Sequence, residues 1–537
     1  MKKNNKLLVI TPYIWLVFGI LLSIWYQFFR GQKMLDADMS SEMLVSSILN
    51  HEHSVTGVTK SWYYSTEFRI ISTQWLYRIG LALSPHNWHI ARCISMALAI
   101  TVLAIAAWLV FYVSDMKEAG VWAAAFTVFP GGSWYFWQTI YGGHYLPYIY
   151  IMLFSLALTI VSVRKLKTFR GKICFAAVSA LALCSGMNGV RMLMVYYVPL
   201  VISSVFLMLF WIRKKGVTYP EQTVFSEALH SEQMSFFLIA VFETVLSVLG
   251  YMINSKILAR IYIFQAFGGS QISSEGSFWE EVKYYIWSFG FADKKVLMSF
   301  RGIASMCGLV LGFLTVIAGI WTISRLSFFT FEQQVLCTIS VSSILFCIVI
   351  FDYTNLGEQQ YFQTAVPLGY ILLVLMIHLV KLTFGKIRIL IYSAVMLLLL
   401  TTSTGTILNE TDKPFHPVRT EMNLNDVVTW LRQEGYDKGV SQFWTSNIVT
   451  ELADGEIEMW TIDDYDSGMM ANWLQEVRHV DSFPSGDYFY LISNKARDEK
   501  YEEHWDWFRA ADEKFLDAHP ELSVVYQDED YTVYGTK

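Results

Sequence analysis

Three carboxylates fall within the seven residues 36–42 of the run Leu35-Asp36-Ala37-Asp38-Met39-Ser40-Ser41-Glu42. Asp38 and Glu42 are four apart, so a helix would put them on one face. Carboxylates among apolar residues are costly to desolvate. A general base acting on a hydroxyl needs such a carboxylate, its pKa raised by apolar surroundings and neighbouring negative charge. Asp36 and Asp38 are therefore candidate catalytic residues, and Glu42 a candidate substrate ligand. The same spacing also suits a helix cap, because an Asp at a helix N-terminus is favourable without any chemistry.

A second cluster follows in Ser61-Trp62-Tyr63-Tyr64-Ser65-Thr66-Glu67-Phe68-Arg69. Trp62, Tyr63 and Tyr64 could offer flat platforms to a sugar ring, and Arg69 could grip a phosphate bidentately beside Glu67. Trp and Tyr also form belts at membrane surfaces. Further candidates are His144 after Gly142-Gly143, Arg191 after Gly186-Met187-Asn188-Gly189-Val190, and Glu358 in FDYTNLGEQQYFQ with Asp352 and Tyr361. Arg191 suits a lipid phosphate and suits a phospholipid headgroup equally. Segment 253–301 adds Lys256, Arg260, Lys283, Lys294, Lys295 and Arg301 among Trp279, Tyr284, Tyr285 and Trp287. That mixture fits an anionic lipid carrier or interfacial anchoring.

The elements that must position these residues are membrane helices. Of 537 residues 54% are hydrophobic and 16% charged, against about 25% charged in an ordinary soluble domain. This composition excludes a simple soluble enzyme, a disordered scaffold and a nucleic-acid binder. Windows of about 20 apolar residues predict eleven spans: 7–29, 88–113, 119–138, 145–163, 173–190, 192–212, 234–252, 302–323, 333–351, 364–383 and 387–408. With the N-terminus in the cytoplasm, the segments on that side hold 16 Lys/Arg, whereas the short outer connections 138–145, 186–191 and 352–363 hold only Arg191. The positive-inside bias therefore predicts a multi-pass cell-membrane protein with a cytoplasmic N-terminus and an extracytoplasmic C-terminus. Segments 30–87 and 253–301 are then outer loops too long to be mere connectors, and 70–83 reads as an interfacial helix.

Residues 411–537 carry 11 basic and 27 acidic residues, a net of −16, which leaves +10 on 1–410. The chain is thus read as a transmembrane domain, 1–410, followed by a small soluble α/β domain, 411–537. In the latter, NLNDVVTWLRQEGY is a capped helix ending near Gly435. GVSQFWT, EIEMWTI, DYFYLIS, SVVYQDE and YTVYGT read as strands, with a helix in NIVTELADG. Asp463, Asp464 and Asp466 read as a solvated loop. The six cysteines lie in or beside apolar runs and read as free thiols. Glu243, inside a span, reads as a hydrogen bond between helices.

A long first outer loop with acidic residues directly after the first span, followed by interfacial helices, resembles the GT-C superfamily of membrane glycosyltransferases. This group includes protein O-mannosyltransferases and lipid A aminoarabinose transferases. The resemblance rests on LDADMSSE (35–42) and WYYSTEFR, and it covers about 1–410. It implies a polyprenyl-phosphate-sugar donor, and a lipid, glycan or protein acceptor at the outer face. A first-loop Asp acts as base in the family, which carries over to Asp36, with Asp38 competing because Ala37 separates the two. A divalent cation shared by the carboxylates occurs in some members, although nothing in the spacing demands one. Many members have an Arg-Tyr pair before the tenth span; here Gln360 precedes Tyr361. With no phosphate-binding Gly-rich motif for a nucleotide, the donor must arrive already activated. The alternatives are a transporter or flippase for a lipid-linked saccharide, which calls for paired halves and mid-depth polar groups, and a non-catalytic surface assembly protein.

Overall fold

The computed structural model describes residues 5–65, 68–140, 142–143, 145–216, 227, 231–264, 277–354, 359–381, 385–412, 424–462, 470–494 and 506–537. Ten of its helices are long and apolar enough to cross a membrane. In chain order the helices of the body are α1 (Asn5–Arg30), α2 (Ala37–His51), α3 (Gln74–Leu83), α4 (Trp88–Val113), α5 (Lys117–Val128), α6 (Ser133–Ile140), α7 (Leu146–Lys165), α8 (Phe169–Met187), α9 (Val198–Gly216), α10 (Glu232–Lys256), α11 (Phe278–Trp287), α12 (Phe300–Ser324), α13 (Phe331–Thr354), α14 (Ala365–Leu379) and α15 (Gly385–Asp412). α7 and α14 are almost wholly buried at the centre. α1, α10 and α12 leave apolar side chains such as Ile14, Leu21, Val245 and Ile320 exposed, as helices facing lipid must.

The predicted span 119–138 is the exception. It is broken into α5 and α6 with Phe129–Gly132 between them. Pro130 has no N–H to give the helix, and the two glycines after it admit a neighbouring backbone. A Cβ on Gly132 would stand 2.6 Å from the Ser288 carbonyl, and Thr406 donates to the Gly131 carbonyl at 2.9 Å. The break is therefore a packing device for the segment after α11. Glu243 in α10 accepts from Thr159 of α7 at 2.9 Å, the expected bond between helices. All six cysteines are free thiols.

The first loop folds as α2 and α3. α3 keeps Trp75, Ile79 and Leu83 exposed while burying Tyr77 and Leu81, the pattern of a helix lying along an interface. The extended 61–69 stretch contributes a strand, β1 (Trp62–Tyr64). It pairs parallel with β2 (Ile263–Phe264) of the second long loop and antiparallel with β5 (Gln475–Glu476) near the C-terminus.

The C-terminal part holds α16 (Leu424–Gln433), β3 (Lys438–Gln442), α17 (Phe443–Leu452), β4 (Glu458–Ile462), β6 (Phe489–Ser493), α18 (Asp506–Ala518), β7 (Ser523–Gln527) and β8 (Tyr531–Gly535). Its five-stranded sheet runs β4-β3-β6-β8-β7. β3 is parallel to β4 and β6, while β8 is antiparallel to β6 and β7. This is the predicted α/β unit, and β8 with β7 gives it an antiparallel edge. α16 ends at a left-handed Gly435, φ +73°, as its sequence requires. The strand predicted over GVSQFWT stops at Gln442, and α17 begins at Phe443.

The sheet unit sits directly on the first loop. Leu35 is buried in the core formed by Leu424, Val427, Val428 and Leu431. α17 packs along α2, and Asn447 donates to the Ser41 hydroxyl at 2.7 Å. The Asp454 carboxylate caps Trp88, accepting its N–H at 2.7 Å.

Candidate functional site

α1 ends in a short 3₁₀ turn, Gly31–Met34, and α2 starts two residues later. The sequence explains the restart: Asp36 is the N-cap of α2, accepting the Asp38 N–H at 2.9 Å. Yet this is no solvent-facing cap. Asp36 is 4% exposed, and Asp38 is half-buried one turn from Glu42.

Glu42 is held from the chain that follows β1. Arg69 reaches it at 3.3 Å, and Ser72 and Thr73 donate to its other oxygen at 3.2 and 3.4 Å. Burial pushes the Glu42 carboxyl up from its ordinary value, and Arg69 and the two hydroxyls pull against it. The loop carrying Arg69 is latched by Asn188, a fully buried residue at the end of α8. Its side-chain oxygen accepts from Ile70 and Ile71 N–H at 2.7 and 3.0 Å, and its amide donates to the Ile71 carbonyl.

Arg191 lies three residues beyond that latch. Its guanidinium sits over Tyr145 at 4.1 Å, Tyr361 at 5.2 Å and Tyr148 at 5.8 Å. Cation–π contacts hold the guanidinium against these rings. Gln360 precedes Tyr361 in the sequence, and the cation against Tyr361 in the structure is Arg191.

Arg92 joins the two halves of the site, and sequence reasoning missed it. At the loop end of α4 it is 1% exposed. It donates to both Glu451 oxygens of α17, at 2.5 and 2.6 Å, to the Met39 carbonyl of α2 at 3.2 Å and to the Tyr77 hydroxyl at 2.8 Å. Tyr77 in turn donates to the Gly142 carbonyl at 3.3 Å. Gln138 accepts the N–H of Tyr145, the ring beneath Arg191. A charge within an apolar span is expensive and functional by default. Arg92 was thus a legible signal, but its partner is 359 residues away.

Other candidates fall differently. Trp62 and Tyr64 are 1% and 6% exposed in a cluster with Val45, Leu49, Val58 and Phe68, and the Tyr64 hydroxyl accepts from Thr59. This corrects the sugar-platform reading for both, because their rings form the core that supports α2. Tyr63 alternates to the other side of β1 and is half-buried. Glu67, His144 and Glu358 lie outside the described residues, as do Asp463, Asp464 and Asp466. Among the described residues Asp36, Asp38 and Glu42 do not make a three-donor group. Among the described residues the three-donor group is Glu458, Glu476 and His479 in the C-terminal unit. There Arg478 already pairs with both carboxylates. No step is derived through a metal.

One further acid lies at this end. Glu281 on α11 is 4% exposed, and its Oε2 has no hydrogen-bond partner. Burial first, then the Asp352 and Glu280 carboxylates, push it up to about 7. The folded protein therefore binds more protons than the unfolded chain between the ordinary value of 4.5 and about 7. Stability falls as pH rises through that window and is flat above it. E281Q is expected to remove this contribution. Melting temperatures from about pH 5 to about pH 8 check it, and identical slopes for the two proteins would contradict the assignment.

No protein-family model matches the sequence, and no curated relative matches it. Solved structures do match, over nearly the whole chain. ArnT from Cupriavidus metallidurans bound to undecaprenyl phosphate superposes with a TM-score of 0.56 at 11% identity, over 97% of this chain and 98% of that one. Its apo state gives 0.57 at 11% identity, over 98% of both chains. The Archaeoglobus fulgidus oligosaccharyltransferase, in complex with Zn and sulfate, gives 0.52 at 10% identity, over 97% of this chain and 72% of that one. The chain is a multi-pass membrane protein with the fold these structures share, the fold that the first-loop resemblance implied.

Proposed function

We propose that this protein is a GT-C glycosyltransferase that moves a sugar from a polyprenyl-phosphate donor to a hydroxyl of a lipid, glycan or protein acceptor at the outer face of the membrane. The N-terminus is cytoplasmic in this reading, and 411–537 is an extracytoplasmic domain following the transmembrane domain 1–410. The observation that carries it is the run of contacts from Glu42 of α2 through Arg69 and the Ile70–Ile71 backbone to Asn188, three residues before Arg191 and the tyrosines it covers. ArnT, solved with undecaprenyl phosphate, supports the choice of donor class.

In this mechanism Asp36 or Asp38 accepts the proton of the acceptor hydroxyl. The hydroxyl oxygen attacks the anomeric carbon, and the bond from that carbon to the phosphate oxygen breaks. Negative charge then grows on the departing polyprenyl phosphate, where a fixed guanidinium stabilises it most. Arg191 is that group. Arg69 neutralises Glu42 and keeps the face of α2 in place. Membrane vesicles containing the protein, supplied with polyprenyl-phosphate sugar labelled in the sugar, are expected to pass label to an acceptor and accumulate sugar-free polyprenyl phosphate. Label that stays on the lipid in the presence of acceptor-bearing membranes would overturn the proposal.

A further inference from the structure

Glu243 lies midway along α10 and is fully buried. A carboxylate at that depth is expensive unless a positive charge or several donors answer it. No Lys, Arg or His occurs in 146–163, 173–190, 192–212 or 234–252, the apolar runs that hold α7, α8, α9 and α10. The Thr159 hydroxyl, at 2.9 and 3.2 Å from the two carboxylate oxygens, is a weak answer. It has one proton to give, and the Ser155 carbonyl lies nearer, at 2.8 Å.

Two more oxygens stand one turn away. α7 and α10 run antiparallel. Tyr148, near the start of α7, donates to the Asn188 carbonyl at 3.3 Å, and Asn254, near the end of α10, donates to the Phe68 carbonyl at 3.2 Å. Ser155 and Ser247 therefore share the faces of Thr159 and Glu243, each about 6 Å nearer the loop end. Both are fully buried, and neither hydroxyl has a hydrogen-bond partner. Hydroxyls on helices commonly bond back to the carbonyl one turn earlier, as Thr159, Ser162 and Thr244 do at 2.8, 2.7 and 2.8 Å. The surroundings hold this layer in place. A Cβ on Gly186 of α8 would collide with the Ser247 carbonyl. Thr244 donates at 3.1 Å to the Tyr197 carbonyl of the π-helical turn Leu193–Tyr197, and such turns frequently accompany functional sites.

A carboxylate and three hydroxyls offer hard oxygen ligands. One negative charge among apolar helices calls for one positive charge, and a divalent ion would leave the layer charged. We propose that Glu243, Thr159, Ser155 and Ser247 bind one alkali cation between α7 and α10. The ion neutralises the carboxylate and gives both serine hydroxyls a partner. A proton on Glu243 would cancel the charge but leave the serines as they are. The site lies inside the bundle and does not depend on the transferase reading.

The test uses the full chain in nanodiscs, with choline replacing the alkali ion at constant pH and ionic strength. Wild type is expected to take up about one radiolabelled sodium or potassium ion per chain and to melt about 2 °C or more higher than in choline. E243Q is expected to bind neither ion. It buries no charge, so in choline it melts no earlier than wild type. S155A combined with S247A keeps the carboxylate and is expected to bind about tenfold more weakly. Should E243Q fail to fold, the double serine variant decides alone. Wild type that takes up neither ion would overturn the proposal, and so would wild-type affinity in E243Q or in the double serine variant.

Discussion

Replacing Asp36 and Asp38 together by asparagine is expected to abolish sugar transfer while leaving expression, melting temperature and lipid binding close to wild type. Asparagine keeps the shape and the capping oxygen, so α2 still starts where it does. What it removes is the ability to take a proton, which for a positioned base is worth about 10²–10⁴-fold in rate. The two residues differ in position. Asp36 already caps the Asp38 N–H at 2.9 Å, whereas Asp38 stands half-buried on the helix face that carries Glu42. The single variants therefore separate base from cap: the base variant loses nearly all turnover, and the cap variant keeps most of it. Initial transfer rates for D36N, D38N and the double variant make the check. Full activity in the double variant would end the catalytic reading.

Breaking the Arg92–Glu451 pair should have the largest effect on stability. Both side chains are almost sealed from water, at 1% and 3% exposure, in a two-pronged contact of 2.5 and 2.6 Å. Removing one partner strands the other charge, a loss of about 3–5 kcal/mol in comparable buried pairs. E451Q and R92M are each expected to melt markedly earlier and to lift α17 from α2, which hydrogen exchange at residues 37–51 would report. Because Arg92 also donates to Met39 and Tyr77, the losses should propagate to the start of α2 and to the loop under Arg191. Replacing both members by apolar residues, R92M with E451L, should recover much of the stability, since burying no charge can be as good as burying a pair. Equal melting temperatures in wild type, R92M and E451Q would refute the role of this pair as the clasp between the C-terminal unit and the bundle.

The local parts of this architecture were legible in the sequence. Apolar windows marked eleven spans, ten of which are helices of membrane length, and the Asp36–Asp38 pair marked a helix cap, which Asp36 provides. Alternation and turn residues marked the five strands of the C-terminal sheet. What composition could not convey was which distant segments would meet. Hydropathy scored 119–138 as one span because its apolar content is continuous, but Pro130 breaks the backbone there. Trp62 and Tyr64 read as a membrane belt or a sugar platform, because nothing local shows that residues 263–264 and 475–476 flank them on either side. Arg191 was flagged as the lone cation of the short outer connections, suited to a lipid phosphate or a headgroup, and Tyr361 as half of an incomplete pair. Their juxtaposition follows from packing between segments 170 positions apart in the chain. Glu281 passed unnoticed among the charges of α11, since only burial sets it apart from Glu280.

The central claim is that the loop end of this bundle handles a sugar on a polyprenyl phosphate, with Arg191 as the phosphate anchor. The most direct measurement is mass spectrometry of the lipid that accompanies the protein out of its native membrane. Wild-type protein is predicted to carry a polyprenyl phosphate, part of it sugar-linked, and R191A to carry little of either form. A wild-type preparation holding only bulk phospholipid, or an R191A preparation holding the same polyprenyl phosphate as wild type, would contradict the account.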